Sequence, residues 1–355
     1  MSPEALQAYY EVAKRYYGNS ASLHDAGGQA NYFVEQARAL IAKKLGVSSD
    51  GVIFTGSGTE GNLLAILSVA MASKKGKHII TSQAEHTSVH AALNTLEKMG
   101  YEVTKLPLHE NGCVNIAQLT EAIRKDTALI TIQHVNSEIG SIQPVDEIAS
   151  IAQKANVFFH VDCVQSFCKR STKSFCEHVD AVTVSAHKIG GPKGCGAVYI
   201  NPKIRVQSLT PGVTHERGLR GGTLDTPAIV AFSVATERYS YERQHYEALR
   251  QYVRTHLPKT SRIVDAREQL PNICGLLMEK VEGQYVLLKL NEAGICISTG
   301  SACDQQNESG TKAILSMGYT TEEARQFFRI SFGPTTTFEE IDQLIAILSE
   351  VERAL

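Results

Sequence analysis

The stretch "AVTVSAHKIGGPKGCGAVYI" (181–200) runs an apolar strand-like segment into Ser185, His187 and Lys188, then returns through glycines to a second apolar run. A lysine at the end of a buried strand has its charged form disfavoured, which lowers its pKa and suits Schiff-base chemistry. Ser185 and His187 carry donors for a phosphate beside it. The plainer alternative is a surface lysine on a loop, and Lys193 is read that way.

Outward from this stretch, short β-branched runs alternate with helical patterns. The runs are "GVIFT" (51–55), "HIIT" (78–81), "EVTKLPL" (102–108), "ALITIQHV" (128–135), "VFFHVD" (157–162), "AVTVS" (181–185) and "GAVYI" (196–200). Helical stretches include "EGNLLAILSVAMASKK" (60–75) and "SVHAALNTLEKMG" (88–100). This alternation predicts an α/β fold, a mostly parallel sheet with helices on both faces. Such sheets bind ligands at the carboxyl ends of their strands.

After residue 225 the pattern changes. The stretch 226–257 lacks a strong breaker and reads as one long helix or two abutting ones, a connector between domains. Beyond it, 272–280, 294–299 and 327–333 read as strands, with helices over 283–293 and 338–355, which describes a smaller α+β domain. The expected division is a large domain over 17–245 and a small one over 246–355 joined by residues 1–16.

The 355 residues carry a formal net charge of −2, with 20% charged and 43% hydrophobic residues and no block of like charges. Nothing here argues for a nucleic-acid surface or a membrane anchor, so a small molecule or a protein is the expected partner. The N-terminal "MSPEALQAYYEVAKRYYGNS" lacks the apolar core of a signal peptide, and the protein is read as cytoplasmic. The eight cysteines (113, 163, 168, 176, 195, 274, 296 and 303) show no zinc-site spacing and are expected as free thiols in a reducing compartment. No metal site is expected.

Two further stretches bear on a ligand. In "TGSGTEGN" (55–62) a strand turns into a helix, so backbone N–H groups and Thr59 can cradle an anion at a positive helix end; a purely structural turn is the alternative. In "FFHVDCVQSF" (158–167), Asp162 ends an apolar strand, where it needs a cationic partner or caps the next helix. Pyridoxal phosphate accounts for these features jointly: a lysine for its aldehyde, an aspartate for its ring nitrogen, and donors for its phosphate.

At this point the chain resembles a known family. "SAHK" and its glycine turn, "HVDCVQS", "TGSGTEGN", "QAEHTSV", "HVNSEIG", "HERGLRGGT" and "STGSAC" resemble, in type and order, the motifs of cysteine desulfurases in the class V aminotransferase family. The resemblance spans nearly the whole chain. It implies a fold type I aminotransferase architecture with a seven-stranded sheet, a homodimer, and pyridoxal 5'-phosphate as cofactor. Lys188 is then the Schiff-base lysine, Asp162 the partner of the ring nitrogen, and Gln165 the neighbour of the ring oxygen. By the same resemblance His86 stacks on the ring and is a candidate proton acceptor. Gly58, Thr59, Ser185 and His187 hold the phosphate, which Thr223 reaches from the neighbouring subunit. Arg329, in "FFRISFG", matches the arginine for the substrate carboxylate, and Asn136 a substrate contact.

The resemblance also assigns the thiol of "STGSAC". Cys303 matches the nucleophile that takes sulfur from L-cysteine as a persulfide, releasing alanine and passing the sulfur to an iron–sulfur scaffold or a tRNA-thiolation enzyme. Cys163, Cys168, Cys195 and Cys296 are read as packing residues.

Two departures from the family pattern keep other readings open. Members usually begin with a strand and turn like "YLDNAATT", which does not precede "MSPEALQAYY" here, and Ser137 stands where a second asparagine is common. The alternatives are another class V activity, a selenocysteine lyase or an aminotransferase, and a catalytically impaired homologue with a binding role.

Overall fold

The computed structural model describes residues 1–300 and 311–354. Along the chain, α1 (Pro3–Arg15) and α2 (Asp25–Leu45) precede β1 (Val52–Thr55), α3 (Gly58–Ala72), β2 (His78–Ser82), α4 (Thr87–Lys98) and β3 (Glu102–Leu106). Then come α5 (Ile116–Ala122), β4 (Thr127–Gln133), α6 (Val145–Lys154), β5 (Phe158–Asp162), α7 (Lys173–Cys176), β6 (Ala181–Ser185) and β7 (Gly196–Ile200). The remainder holds α8 (Thr226–Arg238), α9 (Arg243–His256), β8 (Ser261–Ile263), β9 (Ile273–Met278), α10 (Gly283–Glu292), α11 (Lys312–Ser316), α12 (Thr321–Arg325), β10 (Phe327–Ser331) and α13 (Phe338–Arg353).

Among the described residues the larger sheet has seven strands in the order β1, β7, β6, β5, β4, β2, β3. Strands β2 to β6 pair in parallel, while β7 runs antiparallel to both neighbours, β1 and β6. The period of two separates the faces. Val52, Phe54, Ile80, Ile130 and Val182 enter one core with Val34 and Ile41 of α2, Ile148 of α6 and Phe232 of α8. Ile53, Ile79, Leu129 and Ala181 enter the opposite core with Leu64 and Ile66 of α3 and Leu93 of α4. Burial on both faces explains why β1, β2, β4, β6 and β7 are buried at every position and read as continuous apolar runs. The edge strand β3 instead exposes Glu102 and Lys105, charges that discourage pairing with another chain.

The smaller unit is an antiparallel sheet, β10, β9, β8, with its own core. Leu276, Met278 and Phe328 of the sheet meet Tyr246, Leu249 and Val253 of α9, Leu290 of α10, and Leu344 and Leu348 of α13. The connector is two helices, because the backbone of Tyr239 leaves the helical region with ψ 118°.

Three sequence expectations differ from the structure. Residues 1–16 do not sit with the C-terminal unit: α1 packs on α8, and Ala5 joins the core beneath the large sheet. The stretch 294–299 is not a strand; it makes a single bridge, Ser298 to Arg329. Cys296 within it is therefore exposed rather than packed.

Candidate functional site

The site forms where the strands end. Gly196 at the start of β7 faces Thr55 on one side and Ser185 on the other, so the carboxyl ends of β1 and β6 are aligned by one residue between them. A side chain there would put a Cβ 2.9 Å from both the Ser57 carbonyl carbon and the Val184 oxygen. In the next strands Gln133 pairs with Asp162 and Asp162 with Thr183, which brings the ends of β4 and β5 to the same edge.

One wall is an anion cradle. Ser57 caps α3, its hydroxyl accepting from Glu60 N at 3.1 Å, and Gly58 and Thr59 follow as the first helical residues, whose N–H groups lack intrahelical acceptors. A Cβ on the buried Gly58 would lie 2.8 Å from Val164 Cγ2 and 3.4 Å from Ser185 Cβ, so the bare backbone lets the helix end close on the turns after β5 and β6. Thr59 is exposed at the rim. Ser185 Oγ and His187 Nδ1 are 2.9 Å apart. Burial, with the charges of Lys188 and Lys169 acting the same way, pulls His187 down to about 4. Lys188 is half-buried on the 3-10 turn that follows β6. Behind the cradle, Glu60 Oε2 accepts from Gly56 N while Arg220 Nε donates to Glu60 Oε1 at 2.9 Å, tying the turn to the loop that carries Thr223.

Beside the cradle lies a carboxylate. Asp162, 6% exposed, accepts from Val164 N on Oδ1 at 2.9 Å and from Asn62 Nδ2 on Oδ2 at 2.7 Å, which leaves acceptor capacity for a further N–H. Gln165 accepts from Lys169 Nζ at 3.3 Å, and burial together with the Lys188 charge pulls Lys169 down to about 7. His86, half-buried, caps α4, where its Nδ1 accepts from Ser88 N at 3.1 Å and lies 2.7 Å from Ser88 Oγ. Beside it, Glu85 accepts from Ser82 Oγ at 2.6 Å and Gln133 N at 2.8 Å. Burial, with the Asp162 charge adding to it, pushes Glu85 up to about 8.

The two substrate-side residues differ. Arg329 of β10 donates from Nη1 to the Ser137 carbonyl at 2.8 Å, and its buried Nε has no hydrogen-bond partner among the described residues. Burial lowers its pKa, opposed by the Glu138 charge. An anion meeting this guanidinium would satisfy the orphaned donor. Asn136 is committed to the chain: its Nδ2 donates to Ala84 O at 3.1 Å and its Oδ1 accepts from Glu138 N and Ile139 N at 2.9 Å each.

The structure thus brings Gly58 close to Ser185, with His187 and Lys188 on the turn that follows and Thr59 exposed beside Gly58, and links Asp162 to His86 through Asn62 and Ser88, with Gln165 three residues after Asp162. Thr223 is exposed on the loop before α8. Cys303 lies outside the described residues. Sequence reasoning passed over Asn62 and Ser88, which link Asp162 to His86, although both fall within quoted motifs. The usable signal was helical spacing, since Asn62 lies one turn after Gly58 and on its face. Burial holds the thiols of Cys168, Cys176 and Cys195 at about 12 and Cys274 at about 11, values that suit packing rather than nucleophilic roles. Among the described residues no group of three His, Cys, Asp or Glu side chains is placed to hold a metal, and no helix is long and apolar enough to cross a membrane.

A parallel sheet ending in a lysine, a buried carboxylate and a helix-end anion cradle defines a class of cofactor-dependent α/β enzyme. The chain belongs to the class-V aminotransferase family, whose sequence pattern matches residues 1–344. A NifS protein of Bacillus subtilis is 40% identical across 96% of this chain and 89% of its own. The cysteine desulfurase IscS of Dictyoglomus turgidum is 36% identical across 98% of this chain and 91% of its own. Among solved structures, a NifS-like protein superposes with a TM-score of 0.91 at 31% identity, covering 100% of this chain and 97% of that one. SspA in complex with cysteine superposes with a TM-score of 0.85, also at 31% identity, covering 95% and 97%.

Proposed function

We propose that the protein is a pyridoxal 5'-phosphate-dependent cysteine desulfurase that converts L-cysteine to L-alanine and passes the sulfur to an acceptor. The observation that carries this reading is the placement of Asp162 and the Lys188 turn at the ends of adjacent paired strands, with the α3 helix end closing on Ser185 beside them. The residues fit the cofactor: the buried carboxylate has spare acceptor capacity for a ring N–H, and the glycine cradle faces a serine and a histidine. When bound, pyridoxal phosphate supplies an electron sink for bonds breaking at the substrate's Cα and Cβ.

Each residue of the chain then has a task. With the cofactor bound, Lys188 would hold the aldehyde, Asp162 would keep the ring nitrogen protonated, and Gln165 would meet the ring oxygen. Gly58, Thr59, Ser185 and His187 would hold the phosphate, joined by Thr223 of a second copy in a homodimer. His86 would stack on the ring. Arg329 binds the substrate carboxylate, with Asn136 holding the adjacent turn. The Cys303 thiolate attacks the substrate sulfur: an S–S bond forms and the Cβ–S bond breaks. The electron pair stays on carbon, which takes a proton and leaves as alanine. The persulfide passes to a scaffold for iron–sulfur clusters or a tRNA-thiolation enzyme in the cytoplasm, where the free state of the described cysteines would persist.

The test is reconstitution. Protein mixed with pyridoxal phosphate should gain a visible absorbance band that Lys188→Ala removes, and L-cysteine with a reductant should yield sulfide and alanine in equal amounts. Cys303→Ser should abolish sulfide release. Undiminished release would overturn the persulfide step, and failure to take up the cofactor would overturn the whole reading.

A further inference from the structure

A chain of buried polar contacts runs behind the candidate site. Asn62 Nδ2 lies 2.7 Å from Asp162 Oδ2 and 2.9 Å from Ser88 Oγ, and Ser88 Oγ lies 2.7 Å from His86 Nδ1. Asn62, Ser88 and Asp162 are 1%, 4% and 6% exposed, so bulk water does not substitute for the links from Asp162 to Asn62 and from Asn62 to Ser88.

The proton positions follow from the partners. Asp162 Oδ2 is an acceptor, so the Asn62 atom facing it is the amide nitrogen; the reversed amide would set oxygen against carboxylate. That same nitrogen donates its second hydrogen to Ser88 Oγ. With one lone pair of Oγ engaged from this side, the Ser88 proton is directed to the nearest remaining acceptor, His86 Nδ1. The Ser88 backbone N–H points at the same Nδ1 from 3.1 Å. Both donors favour a bare Nδ1, the hydroxyl at 2.7 Å holding it more closely than the backbone N–H at 3.1 Å, so the relay through Ser88 Oγ tips the tautomer.

We propose that Asn62 and Ser88 are positioning residues: the relay Asp162–Asn62–Ser88 fixes neutral His86 as the tautomer that carries its proton on Nε2. The inference rests on the functional reading above for its consequence and on the hydrogen-bond geometry for its content. The relay makes the resting His86 a donor at Nε2 rather than an acceptor. It therefore reverses the resting role that the sequence reading considered for this side chain: to accept a proton at Nε2, the ring must first give one up. It also makes the orientation of the ring depend on the carboxylate that would hold the cofactor's nitrogen, so the two faces of the site are set by one network.

The test is ¹⁵N NMR of histidine-labelled, cofactor-free protein at a pH where His86 is neutral, with a His86→Gln spectrum for assignment. The expected pattern is a protonated Nε2 and an unprotonated Nδ1. Asn62→Ala frees Ser88 Oγ to accept, so the Nδ1–H form should rise at least several-fold. Ser88→Ala should produce a similar rise, and Ser88→Thr, which keeps the hydroxyl, should restore the wild-type pattern. A dominant Nδ1–H form in the wild type overturns the proposal. So does an unchanged tautomer in whichever of Asn62→Ala and Ser88→Ala remains folded by circular dichroism. These readouts need no cofactor and no turnover. A confirmed tautomer in a protein that releases no sulfide would sink the functional reading alone, while the wrong tautomer in an active enzyme would sink only the relay.

Discussion

Arg38 and Glu216 meet as a two-pronged ion pair, Nη2 to Oε1 at 2.8 Å and Nη1 to Oε2 at 3.0 Å, with both side chains almost wholly buried. The pair joins α2 to the loop 215–218, and each partner also grips the first strand: Glu216 accepts from Phe54 N at 2.6 Å and Arg38 donates to Val52 O at 2.8 Å. The Glu216 backbone sits at φ 43°, a left-handed conformation costly for a residue with a Cβ, so these contacts hold it there.

Removing one partner should therefore be expensive. Arg38→Leu leaves a buried carboxylate uncompensated, and stability measured by urea unfolding should fall by about 3–5 kcal/mol. A loss below about 1 kcal/mol, the range of a surface pair, would show that the loop holds its shape without the clasp.

Glu85 makes stability depend on pH. Its folded-state pKa, about 8, lies above the ordinary 4.5. The protonated carboxyl is thus favoured by folding, its contribution whole below about pH 4.5 and lost as pH rises through about 8. Glu85→Gln cannot ionise. The stability of that variant relative to wild type should climb by roughly 2–4 kcal/mol between pH 5 and pH 8.5, measured by unfolding at fixed ionic strength. A difference that stays flat with pH would contradict the buried, protonated state.

Arg329 offers a planar fork whose Nε is unclaimed among the described residues. In Arg329→Lys the charge remains but the fork is lost. The KM for L-cysteine should rise about tenfold, equivalent to about 1.4 kcal/mol, with a smaller change in kcat. Equal KM values for the two proteins would remove Arg329 from carboxylate binding.

Gly58→Ala tests the cradle. The added methyl meets Val164 at 2.8 Å and should cost about 1–3 kcal/mol of stability through overpacking. Inorganic phosphate should raise the melting temperature of the wild-type protein without cofactor more than that of the variant. Identical phosphate-induced shifts would argue that the anion does not bind at this helix end.

Much of the architecture was legible because parallel strands buried on both faces announce themselves as unbroken apolar runs, as "ALITIQHV" and "AVTVS" do. The positions of Asp162 and Ser185 at strand ends, and of Lys188 on the turn that follows β6, were legible for the same reason. The run "GICIST" misled: it lies beside β10, the edge strand of the small sheet, yet gains only the Ser298–Arg329 bridge, because apolar content alone does not set a ladder. Helix α2 went unread; its first turn carries two glycines in "DAGGQ". The carbonyls of Ser22 and Asn19 come within 2.3 and 2.8 Å of where a Gly27 side chain would begin, so that glycine serves a close backbone approach. The link from Asn62 to Ser88 joins two helices 26 residues apart, a pairing no local pattern reports.

The reversed strand β7 has one more consequence. Because Gly196 pairs with both Thr55 and Ser185, the two halves of the anion cradle are gauged from a single strand rather than from each other. In hydrogen exchange, the amides of β1, β6 and β7 should open as one cooperative unit, and the spacing of the cradle should survive thermal motion until that unit opens.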